Sequence, residues 1–486
     1  MSIVPVVRRN SVYSFLAFSF RLIANMALFV GIARFYGQAA FSQFSLAHVY
    51  FSIMLLIADF GYDFYLATEI GREARLTVEL VRKVLPMKIV FSGFAVSLML
   101  ALALIGQSDQ SVKMLMVVLA LSVPLNSFMT FAAAIFRGNQ DVLPEARVAF
   151  TQNLLLLVFL VMIALLGLPL MVVACAFVAS KAYGFISLWQ RARERFPGLG
   201  WATHLPETKQ AKVILGSGFS FGLHMLFSTL CFQLDTILLA YLSGQNAVGQ
   251  YQAVMKLAAL VLVLNEVAIT AVIPVLAQAF ERDEIRWMRI GKVVCKSLHL
   301  FGGFFGLLFL LSPEEILGIV YGKGKFVESV PVMRIFGVIL LIRFGMETYG
   351  MMLTTARKQR FRTMVVILAT VANALANVLV IPRFGIVGAA WVSLGTNALI
   401  AIAYFGLMAM HLRRWLPLFD SGQLLIFAGF IVTGGIFWYS GITTFAMVVP
   451  LLFIITAGLT YVGFSRNELA LVSSFFRLGA SRPEVL

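Results

Sequence analysis

Runs of mostly apolar residues follow one another along almost the whole 486-residue chain, and this leaves few folds open. A helix needs ~20 such residues to cross the hydrocarbon of a bilayer. Fourteen segments fit that length, at roughly 10–36, 41–69, 84–106, 112–137, 142–167, 169–190, 212–243, 247–280, 289–312, 326–356, 361–382, 384–411, 421–440 and 443–464. A large soluble core would need polar surface that is missing: 12% of residues are charged, against ~25% in ordinary globular chains. Lipid offers backbone N–H and C=O groups no partner outside the segment, so every span must be a helix. The expected fold is an all-α integral membrane protein of about 14 transmembrane helices.

The net charge of +16 would suit a nucleic-acid partner in a soluble chain. Here the basic residues sit in short clusters between apolar runs, and membrane topology accounts for them. About 28 of the 38 Lys and Arg fall on one set of loops and termini, among them Arg8, Arg9, Lys88, Arg137, Lys292, Lys296 and Arg362. The opposite loops hold Arg34, Lys113, Lys323, Lys325 and Arg383. By the positive-inside rule both termini face the cytoplasm. The stretch MSIVPVVRRN enters a long span without a small-residue cleavage site, so the first helix is expected to be retained. Cys175, Cys231 and Cys295 lie in apolar runs without paired spacing and read as small buried hydrophobes, not disulfides or metal ligands.

Two octets, GQAAFSQF at Gly37 and GQNAVGQY at Gly244, repeat Gly, Gln, Ala and Gln in register 207 positions apart. The first joins spans one and two, and the second joins spans seven and eight. Six spans is an even number, so the second set of six repeats the first in the same orientation. Substrate sites of such parallel repeats usually lie between the halves. The expected division is therefore an N-terminal six-helix lobe (1–200), a second six-helix lobe (205–415) and two additional helices with a cytoplasmic tail (416–486).

With that organisation in view, several stretches carry a resemblance: ADFGYDFYLATEIGRE (58–73), FRGNQ (136–140), FQLDTILLAYLSGQNAVGQYQAVMKLA (232–258), VPVMRIFGVILLI (330–342) and IPRFGIVGAAWVS (381–393). Over residues 8–412 the chain resembles the multidrug/oligosaccharidyl-lipid/polysaccharide exporter superfamily, and within it the Wzx-type polysaccharide and O-antigen flippases. That resemblance implies a secondary transporter of the bacterial inner membrane. It would move an undecaprenyl-pyrophosphate-linked oligosaccharide by alternating access, for O-antigen, capsule or exopolysaccharide synthesis. Membrane lipids and a polysaccharide polymerase or chain-length regulator are the partners it implies. No catalytic residue carries over with it.

Charges at membrane depth are costly, and each is a functional candidate by default. At ~1.5 Å per residue, Arg21, Asp59, Asp63 and Glu347 fall in the inner half, Lys181, Glu266 and Arg343 near the middle, and Asp235, Lys256 and Arg334 in the outer third. A diphosphate head needs cations, and the planar guanidinium fork suits phosphate oxygens. Arg21, Lys181, Arg343, Arg334 and Lys256 are therefore the candidate substrate-binding residues, in a ladder from inner to outer face. The competing reading is structural pairing: Arg343 and Glu347 are four apart on one helix face, and Asp235 and Lys256 share a depth.

Transport against a gradient needs energy, and no GxxxxGK[ST] pattern is present. No cofactor is expected; a proton or sodium gradient is. Asp59, Asp63 and Glu266 are the candidate ion-coupling carboxylates, the first two close enough to share a proton. His224 and His299 read as packed polar residues. An organic-cation antiporter of the same fold, or a lipid II flippase, are the alternatives. The short outer loops leave no room for the second sugar site of a polymerase or ligase, so an enzyme is not expected.

Overall fold

The structure, a computed structural model, describes residues 3–106, 109–200, 208–412 and 420–470. Among these residues there are helices and no strands. Thirteen helical stretches are long and apolar enough to cross a membrane. One of them, Gln359–Met410, runs for 52 residues and turns at Gly385, whose φ of 55° and ψ of −137° are not helical. Counted as two spans, it brings the total to fourteen.

By contact the chain divides into two units, Met1–Ala240 and Tyr241–Leu486. The first contains α1 (Ile3–Phe35), α2 (Gly37–Asp59), α3 (Tyr62–Arg72), α4 (Thr77–Gly106), α5 (Gln110–Ala120), α6 (Ser122–Gly138), α7 (Leu143–Leu165), α8 (Leu170–Arg195) and nearly all of α9 (Thr208–Leu242). The second contains α10 (Gln245–Arg282), α11 (Glu284–Leu311), α12 (Pro313–Tyr321), α13 (Val330–Thr355), α14 (Gln359–Leu412), α15 (Ser421–Ser440) and α16 (Phe445–Gly463). The ends where α3 meets α4, α6 meets α7 and α13 meets α14 carry the basic clusters; they are called the basic ends below.

The duplication is written into the backbone. Gly37 and Gly244, which open the repeated octets, share a positive φ, 84° and 85°. A second pair of turns matches at an offset of 217. After α6, Asn139, Gln140 and Asp141 donate to the carbonyls of Ile135, Arg137 and Phe136; after α13, Ala356, Arg357 and Lys358 donate to those of Met352, Thr354 and Leu353. Gln140 and Arg357 take the same left-handed conformation, φ 60° and 61°. Between the two pairs the offset grows by ten residues, and there the second half carries α12 and the connection to α13, Ser312 to Ser329.

One expected span is two helices. Residues 41–69 read as a single run, yet the chain leaves the helix at Phe60 (φ 26°) and Gly61 (φ 81°) and restarts as α3. Only glycine reaches that conformation without a Cβ penalty. α9 backs this break: a Cβ built on Gly222 would stand 3.0 Å from the Phe60 carbonyl oxygen. In the second unit α11 and α13 approach through Gly306 and Gly337, where a Cβ on either would meet the other's carbonyl oxygen inside 3 Å. Small residues at such crossings let helix backbones pack closely in lipid.

Candidate functional site

The first unit gathers charge beside the α2–α3 break. Asp59 ends α2 and Asp63 opens α3, so the break separates them. Lys88, wholly buried on α4, reaches across it. Its Nζ donates to Asp59 Oδ1 at 2.9 Å and also to Asp63 Oδ1. Ser127 of α6 donates to Asp59 Oδ1 at 2.6 Å, and the Phe131 ring lies 5.2 Å from the ammonium. Sequence reading placed Lys88 with the loops and let the two carboxylates share a proton on one helix face. The structure corrects the placement of Lys88 and puts the two carboxylates on different helices. α4 carries Lys88 into an apolar cluster that includes Val84, Leu85 and Phe131, where an ammonium must find counter-charges.

Toward the same basic end, Glu145 lies near the start of α7 at 8% exposure. Arg137 donates to it twice, Nε to Oε2 at 2.7 Å and Nη2 to Oε1 at 2.6 Å. Arg21 of α1 stands 3.6 Å from Oε1. Arg137 is within electrostatic range of Asp63, and Lys181 within that of Arg21. Lys181 itself rests 5.0 Å from the centroid of the Phe177 ring on α8. The structure thus groups Arg21 and Lys181, two of the five expected cations, with Arg137 and Glu145, which sequence reading left among the loops or passed over.

The second unit distributes its charges differently. The expected partner of Glu347 was Arg343 on the same helix face. The Glu347 carboxylate accepts from Arg362 Nη2, on α14, at 2.6 Å. Arg362 also donates from Nη1 to Thr354 Oγ1 at 3.1 Å. Glu266 lies within electrostatic range of Arg343 and Glu347. It also stands 207 positions after Asp59, the offset of the repeated octets, so the two candidate coupling acids occupy corresponding places in the halves. Arg334 faces outward from this group. Its guanidinium is 5.7 Å from the Trp438 ring of α15 and 3.9 Å from Glu314 of α12. Lys256 is half-buried on α10; Asp235, expected to bridge to it, is fully buried on α9.

A further cluster joins the last two helices to α11. Lys296 is 1% exposed and donates to the Gly463 carbonyl at 2.9 Å and to both Glu468 oxygens at 3.1 and 3.0 Å. Its Nζ also lies 2.9 Å from Asp420 Oδ2, which Lys292 approaches to 2.5 Å. Burial pushes the Asp420 carboxyl up, but hydrogen bonds from Lys292, Lys296 and the Gln423 N–H outweigh it and hold the group below the usual carboxylate range. Glu468 is likewise depressed: burial is outweighed by the Ser465 N–H and Lys296. Of the three cysteines Cys295 is buried, Cys231 half-buried and Cys175 exposed; the last departs from expectation.

The long apolar helices define a multi-pass membrane protein. Solved structures share its fold. One similar structure is a lipid II flippase, MurJ, in an inward closed conformation: TM-score 0.70, 13% identity, covering 96% of this chain and 99% of that one. A multidrug MATE-family transporter in an inward-facing conformation is similar at TM-score 0.66 and 16% identity, over 82% and 95% of the two chains. These likenesses define the class of fold. Within it, the model of the family described as polysaccharide biosynthesis protein matches residues 7–280, and the chain belongs to that family. Among curated relatives it is 24% identical over 160 residues to a probable low-salt glycan biosynthesis flippase of Haloferax volcanii, over 32% of this chain and 33% of that one. It is 27% identical over 181 residues to an uncharacterized membrane protein of Methanocaldococcus jannaschii, over 35% of each. The chain thus spans about a third of the length of these relatives.

Proposed function

We propose that the protein is a flippase for an undecaprenyl-pyrophosphate-linked oligosaccharide repeat unit, working in the bacterial inner membrane with both termini cytoplasmic. The repeat unit would feed O-antigen, capsule or exopolysaccharide synthesis, beside a polymerase or chain-length regulator. The observation that carries this reading is the family match over residues 7–280. The Haloferax relative, itself described as a probable glycan biosynthesis flippase, supports the glycan-lipid cargo.

In this mechanism Arg21, Lys181 and Arg343, with Arg334 and Lys256 toward the far face, offer cations to the diphosphate while the prenyl tail stays in lipid. Binding energy is gained where guanidinium forks meet phosphate oxygens in a site of low dielectric. Asp59, Asp63 and Glu266 take up and release the coupling proton or sodium ion as the protein alternates between its two openings, since burial penalises the charged carboxylate and a cation relieves it.

Complementation tests the reading. A host lacking its own polysaccharide flippase would receive the wild type or Arg21→Ala, Lys181→Ala and Arg343→Ala variants, with surface glycan scored at matched protein levels. We expect the wild type to restore glycan and at least Arg21→Ala to lose most of it. Resistance to cationic dyes without restored glycan would assign an organic-cation antiporter; rescue of a lipid II flippase deficiency instead would assign that cargo.

A further inference from the structure

The two halves close the same turn with different chemistry. At an offset of 217, Arg137 and Glu145 of the first half correspond to Thr354 and Arg362 of the second, and the turns between them have the same three backbone hydrogen bonds. In the second half the clasp is balanced: Arg362, with 13% of its side chain exposed, meets one carboxylate, Glu347, and one hydroxyl, Thr354. In the first half one carboxylate faces two guanidiniums. Glu145 forms the floor, its side chain 11% exposed, while Arg21 and Arg137 stay open at 38% and 45%.

Closing the turn does not require this surplus, since the second half closes the same turn with a neutral pair. Arg21, Arg137 and Glu145 together carry one net positive charge, and Lys181, within electrostatic range of Arg21, adds another. Arg137 spends two of its five N–H donors on Glu145. Its remaining donors and its open side suit an anion with several oxygens. The cluster of Asp59, Asp63 and Lys88 on the adjacent α2, α3 and α4 carries one net negative charge, so those three residues do not duplicate the site.

We propose that Arg137 joins Arg21 in a two-guanidinium clamp for the diphosphate of a prenyl-linked substrate, with Glu145 as the buried carboxylate that positions both side chains. This rests on the flippase reading and adds to it a residue and a place, the α6–α7 turn at the basic end of the first unit. A diphosphate diester is an anion with several oxygens, and the guanidiniums of Arg21 and Arg137 outnumber the one carboxylate, Glu145, that they share. Arginine rather than lysine is required, because two planar forks can each present paired donors to neighbouring phosphate oxygens.

The test uses the purified full-length protein in detergent, with geranylgeranyl diphosphate, inorganic pyrophosphate and phosphatidylglycerol as probes. Affinity and the ligand-induced rise in melting temperature are measured for wild type, Arg21→Gln, Arg137→Gln, Arg137→Lys and Arg362→Gln. We expect geranylgeranyl diphosphate to bind the wild type, inorganic pyrophosphate to compete, and Arg21→Gln and Arg137→Gln each to weaken binding about tenfold or more, in line with a charge-assisted hydrogen bond. Arg137→Lys keeps a cation beside Glu145 and lets the test proceed if the glutamine variant does not fold; it should fall between. Arg362→Gln should lower the melting temperature of the unliganded protein yet keep the ligand-induced rise. Wild-type affinity in the Arg137 variants would reduce the Arg137–Glu145 contact to a structural clasp and overturn the clamp. Phosphatidylglycerol binding as tightly, with the same dependence on Arg137, would overturn it in favour of a general anionic-lipid site. If those variants keep affinity while the wild type restores surface glycan, the clamp fails and the flippase reading stands; a wild type that restores none removes the reading itself.

Discussion

At the scale of single residues, the charges that matter are those buried far from water. Lys88 holds two carboxylates that come from opposite sides of the α2–α3 break. Removing it leaves Asp59 and Asp63 facing each other in an apolar setting. Breaking a buried pair by deleting one partner costs about 3–5 kcal/mol, so Lys88→Met should unfold at markedly lower temperature. Adding Asp59→Asn and Asp63→Asn to Lys88→Met should recover part of that loss, because the stranded charges are gone. Thermal unfolding followed by tryptophan fluorescence checks both, and a triple variant no more stable than Lys88→Met would show that the carboxylates are not what Lys88 compensates. Charge and spacing made Asp59 and Asp63 visible in the sequence. Lys88 and Arg137 were not, because both lie in basic clusters that topology explains without further assumption.

At the scale of elements, the last two helices illustrate how an added pair is fixed to a duplicated core. Leu452 and Val448 of α16 are buried, but apolar contact in lipid is not specific. Lys292 and Lys296 of α11, Asp420 before α15 and Glu468 after α16 provide the specificity. Asp420 and Glu468 have carboxyls depressed in the folded protein. Stability from a depressed acid is present above the unfolded value, about 3.9 for Asp and 4.3 for Glu, and is lost as pH falls through the lower folded value. Melting temperature measured in detergent from pH 6 to pH 3 should therefore drop below about pH 4. Lys296→Met should start lower and show a shallower drop, whereas parallel curves would mean that this cluster does not couple to pH.

At the scale of the whole molecule, the uneven distribution of Lys and Arg predicts an orientation. With native cysteines replaced, Lys323→Cys, in the connection between α12 and α13, should react with a membrane-impermeant maleimide in intact cells. Arg360→Cys, at the α13–α14 turn, should react only after permeabilisation. The opposite pattern would invert the topology. The repeated octet and the resemblance together suggested duplication, and the matched turns at Gln140 and Arg357 extend it to a part of the chain where the side chains no longer agree.

The sequence by itself determined the class of fold and its count of about fourteen spans, because lipid forces every crossing segment to declare itself as a long apolar run. It also marked Arg21, Lys181, Asp59 and Glu266, since a charge inside such a run is conspicuous. Only the tertiary structure decided which charges meet. A residue at a helix end is equally free, in sequence, to face water or to turn into the protein. Packing of α4 against α2 buries Lys88; the α6–α7 turn brings Arg137 onto Glu145; α14 brings Arg362 to Glu347. Ion pairing acts over a few ångströms between helices distant in sequence, and no local pattern of residues encodes that distance.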